Sequence, residues 1–143
     1  MSLQVHLPDP PARPDGRLDY ARRVLRAEAA GLELVARRLD DAFLRAVDLL
    51  LRVTGEGAGR VAVTGTGKSA DVGLKIAGTL NSTGARAYFL DAVKAVHGDL
   101  GMVHPDDAVL VLSHSGESEE ILRLLGPLRP LARALIALTG NVG

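Results

Sequence analysis

RVAVTGTGKSADVG, residues 60–73, begins as a short β-branched run and ends as the opening of a helix, with GTGKS at the bend. A strand that turns into a helix through glycines suits an anion, because backbone amides and the helix dipole both favour negative charge there. Three devices share this outline: the P-loop of nucleoside triphosphatases, the dinucleotide-binding turn and a sugar-phosphate cradle. A P-loop needs a further glycine at the start of its turn, and Ala62 stands there, inside the apparent strand. Nor does an acidic residue close an apolar strand to hold magnesium, since AVLVL at 108–112 runs into SHSG. The dinucleotide turn fits better on pattern. Gly65, Gly67 and Ala70 satisfy GxGxxA, and Asp91 closes the next strand, where an acidic residue can take a ribose hydroxyl. That reading leaves Lys68 and Ser69 at the bend unexplained, together with the histidine-bearing loop after Asp91.

The third device draws on a second stretch, LSHSGESEEIL, residues 112–122. A strand runs into Ser113, Ser115 and Ser118 around Gly116, and a helix follows with Glu117, Glu119 and Glu120. Hydroxyls and amides at a helix N-terminus bind an anion; a plain N-cap at Ser115, with Glu117 complementing the dipole, is the simpler alternative. Two such turns at the ends of two strands suit convergence on one monophosphate.

Around these turns the chain reads as one domain. Pro8, Pro10, Pro11 and Pro14 make residues 1–16 a flexible arm, extended or disordered, because proline lacks a donor and disfavours helix before it. From Leu18 onward Ala21, Leu25, Leu32, Val35 and Leu39 recur at helical steps, and Asp40 caps a second helix that directs Phe43, Ala46, Val47 and Leu50 inward before fraying in TGEGAG, residues 54–59. Four apolar runs follow at 61–64, 87–90, 108–112 and 134–138, without polar alternation. Such strands belong to a parallel sheet covered on both faces, and residues 69–83 and 117–128 have the apolar spacing of covering helices. The expected fold is α/β, a doubly wound parallel sheet behind an N-terminal helical pair, with residues 17–143 as its domain and ligands beyond the carboxyl ends of the strands.

Lys plus Arg and Asp plus Glu number 17 each, so no excess of positive charge is available for a nucleic acid or an anionic membrane. With no cysteine, a metal would need His and carboxylate ligands. The first 20 residues have neither a basic n-region ahead of an apolar core nor a membrane-length run, which makes a cytoplasmic protein the expectation.

VTGTGKSADVGLKIAGTLNSTG, HGDLGMVHPDD, VLSHSGESEEIL and ALTG together resemble the sugar isomerase (SIS) domain, and within it the arabinose-5-phosphate isomerases. The resemblance implies a flavodoxin-like three-layer sandwich, reversible conversion of D-ribulose 5-phosphate and D-arabinose 5-phosphate for lipopolysaccharide sugar synthesis, and a homotetramer. It implies that Ser69, Ser113, Ser115 and Ser118, with Gly67 and His114, hold the substrate phosphate. Lys68 and Glu117 match the family's active-site lysine and an acidic residue of its site, and His97 its metal-binding histidine, where zinc inhibits and is no cofactor. A non-catalytic phosphosugar-binding or regulatory module is the alternative. The family's domain continues past the point where LTGNVG ends this chain, through elements that carry a second glutamate and a ring-opening histidine, so the expectation is a domain incomplete at its C-terminus. Aldose–ketose isomerisation moves a proton between C1 and C2 and needs a base and an acid but no redox cofactor.

Overall fold

The computed structural model describes residues 7–9, 16–56 and 58–141. Most of the proline arm therefore lies outside the described residues. The chain packs as two units, residues 1–43 and 44–143.

The first unit is dominated by α1 (Arg17–Ala36). Its expected apolar stripe faces solvent: none of its residues is buried, and Leu25 and Leu32 are 65% and 72% exposed. The second helix, α2 (Asp41–Leu51), begins as expected, with the Asp40 carboxylate accepting from Ala42 N at 2.8 Å. Phe43 departs from its expected inward position and is exposed, while Leu50 packs against the sheet. Fraying in the glycine-rich stretch is replaced by a π-helical turn, Arg52–Glu56, which buries Val53.

The second unit is a four-stranded sheet in the order β2-β1-β3-β4, formed by β1 (Val61–Gly65), β2 (Ala87–Phe89), β3 (Ala108–Ser113) and β4 (Ala134–Thr139). Every pairing is parallel. The period-2 alternation of strand side chains divides the apolar runs between two cores. Val61, Val63 and Leu112 meet Ala77, Ile76 and Leu80 of α3 (Lys68–Ser82) on one face. Ala62, Val109 and Val111 meet Ala92 and Ala95 of α4 (Ala92–Val96), and Ile121, Leu124 and Leu128 of α5 (Glu119–Leu131), on the other. This is the doubly wound three-layer sandwich expected. α5 outruns its expected end and carries Pro127 and Pro130 in its last turns.

Short α4 has no counterpart in the sequence reading. The Asp91 side chain caps it, accepting from Val93 N and Lys94 N at 2.9 and 3.0 Å. The carboxylate that a dinucleotide would use for its ribose is thus committed to a helix start.

At the amino ends of the strands lies a polar knot that the sequence did not announce. Asp107 is fully buried and accepts from Arg60 N, Arg60 Nη2, Tyr88 Oη and His104 N at 2.8, 2.9, 3.1 and 3.0 Å. Arg60 Nη2 also donates to Met102 O at 2.7 Å, and its guanidinium lies 4.4 Å from the Tyr88 ring centre. Burial alone pushes the Asp107 carboxyl up, but its hydrogen bonds, from the Arg60 side chain above all, hold it below the ordinary carboxylate value. Tyr88 is driven up, first by burial and then by the Asp107 charge.

Candidate phosphosugar site

Strand order reverses between β1 and β3, the switch point at which open α/β sheets bind ligands. The two turns singled out in the sequence leave the carboxyl ends of these two strands. After β1 the chain bends through Gly67, at φ +53°, into α3. After β3 it bends through Gly116, at φ +74°, toward α5. Both conformations are open to glycine and strained for a side chain.

Neither helix start is capped by a side chain. Ser118 occupies the N-cap of α5, but its Oγ lies 3.3 Å from Ser113 Oγ and makes no cap bond. Ser115 Oγ accepts from Glu117 N at 3.1 Å, and Ser113 Oγ from Gly116 N at 3.1 Å. The serines therefore fold the turn on itself instead of closing the helix, which answers the plain N-cap alternative. At α3, Ser69 N and Ala70 N donate to Thr66 O and Gly67 O at 3.1 and 3.0 Å, so what the two helix starts beside one switch point offer an anion is the positive end of each helix dipole with no side-chain cap in the way.

An open pocket of about 360 Å³ borders these turns, lined by Lys68, Ser69, Val72, Leu112, Ser113, His114, Leu138, Thr139 and Gly140. Four expected site residues, Lys68, Ser69, Ser113 and His114, come together there. Gly67, Ser115, Glu117 and Ser118 belong to the flanking turns but not to the lining. Glu117 is exposed. His97 is the exposed C-cap of α4, outside the pocket lining. No group of three potential metal ligands exists among the described residues, so these residues do not by themselves fit a zinc ion at His97. Thr139 and Gly140 were missed as site residues. Their signal was ALTG, whose last two residues sit where β4 reaches the pocket rim.

A doubly wound parallel sheet with a pocket at its switch point defines an α/β protein of the class that takes ligands at the carboxyl ends of its strands. The SIS domain family matches residues 56–143, and the chain belongs to that family. The arabinose 5-phosphate isomerase KdsD of Pseudomonas aeruginosa is 45% identical over 121 residues, 85% of this chain and 36% of the relative. The Yersinia pestis enzyme of the same name is 42% identical over 120 residues, 84% of this chain and 35% of the relative. The chain thus spans about a third of the length of these relatives. Among solved structures, an Escherichia coli CFT073 protein in complex with arabinose 5-phosphate superposes with a TM-score of 0.79 at 33% identity, covering 89% of this chain and 65% of that one. A Bacteroides fragilis protein assigned as a phosphosugar isomerase of capsule formation matches with the same score and identity, over 88% of this chain and 66% of that one. No described helix is long and apolar enough to cross a membrane.

Proposed function

We propose that this chain supplies the phosphosugar-holding part of an aldose–ketose isomerase that interconverts D-ribulose 5-phosphate and D-arabinose 5-phosphate, in the cytoplasm and toward lipopolysaccharide sugars. The observation that carries the reading is the pair of uncapped helix starts flanking one pocket, with Ser69 on one side and the serine turn on the other. The names of the relatives support the choice of sugar.

In this reading the phosphate sits between the start of α3 and the turn before α5. Ser69, Ser113, Ser115 and Ser118 donate hydroxyls, and Gly67 leaves space for the oxygens to approach the backbone. Lys68 neutralises charge on the phosphate or on an enediolate, and Glu117 is the acidic group beside the site. The proton transfer needs no redox cofactor. Assembly into a homotetramer is part of the same proposal, supported by the exposed leucines of α1 at seven-residue spacing, 18, 25 and 32.

The alternative, a phosphosugar-binding module without turnover, shares this site. Calorimetric titration with arabinose 5-phosphate tests the shared core of both readings. Ser69→Ala and Ser115→Ala should each weaken binding by about 1–3 kcal/mol, the cost of a lost hydrogen bond to a charged group. Unchanged affinity in both, with tight binding of an NAD analogue, would reinstate the dinucleotide turn.

A further inference from the structure

His114 and Gly140 face each other at the tips of neighbouring strands. Gly140 N donates to His114 O at 3.1 Å, one step beyond the last registered pair, Ser113 and Thr139. A Cβ added to Gly140 would stand 3.0 Å from His114 O, 3.2 Å from its Nδ1 and 3.4 Å from its Cε1. The imidazole thus lies against the bare face of Gly140. A side chain at 140 presses on both the carbonyl held by the ladder and the ring, and each must give by a few tenths of an ångström, the ring being the freer of the two. On its other side His114 is exposed to the pocket that Lys68 and Ser69 also line.

Ser113 ends β3, and its hydroxyl meets Gly116 N and Ser118 Oγ in the serine turn. His114 follows in the bend, makes no such bond to the turn, and lines the pocket beside Leu112 and Leu138. A ligand whose phosphate occupies the serine turn extends its remaining atoms into the pocket, past the imidazole. Ring nitrogens hydrogen-bond well to hydroxyls.

Resting on the phosphosugar reading, we propose that His114 contacts the hydroxyls of the bound sugar rather than its phosphate, and that Gly140 is the positioning residue that keeps the imidazole in the pocket. The pair then serves specificity, separating a sugar phosphate from phosphate alone.

The test is calorimetry on the full chain with two ligands, arabinose 5-phosphate and inorganic phosphate. His114→Ala should weaken the sugar phosphate roughly tenfold and leave inorganic phosphate within about twofold. Gly140→Ala should repeat this selective loss by displacing the ring, and should add less than about twofold on the His114→Ala background, since coupled residues are non-additive. A merely structural defect at Gly140 would instead weaken both ligands in both backgrounds. If Gly140→Ala does not fold, His114→Ala and His114→Phe decide, because His114 is exposed. Equal loss of both ligands, or loss of neither, overturns the proposal and leaves the phosphosugar reading standing. A parent chain that binds neither ligand overturns both.

Discussion

Asp107 has no exposed surface, yet its carboxylate collects hydrogen bonds from Arg60, Tyr88 and His104. Replacing it with alanine would strand the backbone donors of Arg60 and His104 and should destabilise the fold by about 3–5 kcal/mol in denaturant titrations. The pH dependence has a definite sign. Because folding holds the Asp107 carboxyl below its unfolded value, about 3.9 for an aspartate, its contribution is present above that pH and lost as pH falls through the lower folded value. Stability of parent and Asp107→Asn should therefore converge in acid; a constant gap would show that the charge is not what matters. Thr64 is the opposite case, fully buried with an Oγ1 that finds no partner among the described residues. Thr64→Val keeps the shape and removes an unsatisfied hydroxyl, and should be neutral or stabilising by about 1 kcal/mol. A loss of more than that would reveal a partner for the hydroxyl. These two residues mark the limit of legibility at this scale. Ser69 and Ser113 announced themselves by sitting in glycine-bearing turns at strand ends, whereas Asp107 looked like one more loop acid in HPDD and gained its role only from Arg60, 47 residues away.

At the scale of elements, the strands were legible because burial on both faces leaves no polar position to confuse the pattern. Starts matched to the residue, and ends moved by one. α4 escaped notice because five residues are too few to display a helical period, and its real signal was the Asp91 cap, which the sequence also offered to a ribose. α1 shows what periodicity leaves open: it identifies an amphipathic helix but not what covers the apolar face. Within α1, Leu18, Leu25 and Leu32 stand exposed at seven-residue intervals, a spacing that sets them along one side of the helix for a partner helix. If α1 joins the subunits of the proposed tetramer, Leu25→Arg with Leu32→Arg should lower the mass in sedimentation equilibrium while leaving the sheet's circular dichroism intact. An unchanged mass would move the interface elsewhere.

Across the whole second unit the two ends of the sheet have opposite characters. The amino ends are locked by a satisfied ionic knot, and the carboxyl ends carry uncapped helix starts around an open pocket. Support of this kind beneath a site whose helix starts carry no side-chain cap suits holding an anion in one place. Turnover asks for more. A base must lie within about 3 Å of the C1–C2 protons, and an acid must open or polarise the sugar. Among the described residues the polar side chains lining the pocket are Lys68, Ser69, Ser113, His114 and Thr139, with no carboxylate. Glu117 follows the serine turn directly, so a phosphate held there keeps the reacting carbons at the far end of a five-carbon chain, away from that carboxylate. The 143-residue chain should therefore bind arabinose 5-phosphate and yet exchange its C2 proton with solvent deuterium barely above the uncatalysed rate, as followed by proton NMR. Supplying the remaining length found in the relatives, of which this chain spans about a third, should raise the exchange rate by orders of magnitude. Robust exchange by the chain alone would place the base among the residues described above. Glu117→Gln and His114→Gln would then identify it, since the variant lacking the base would lose exchange even at saturating sugar phosphate.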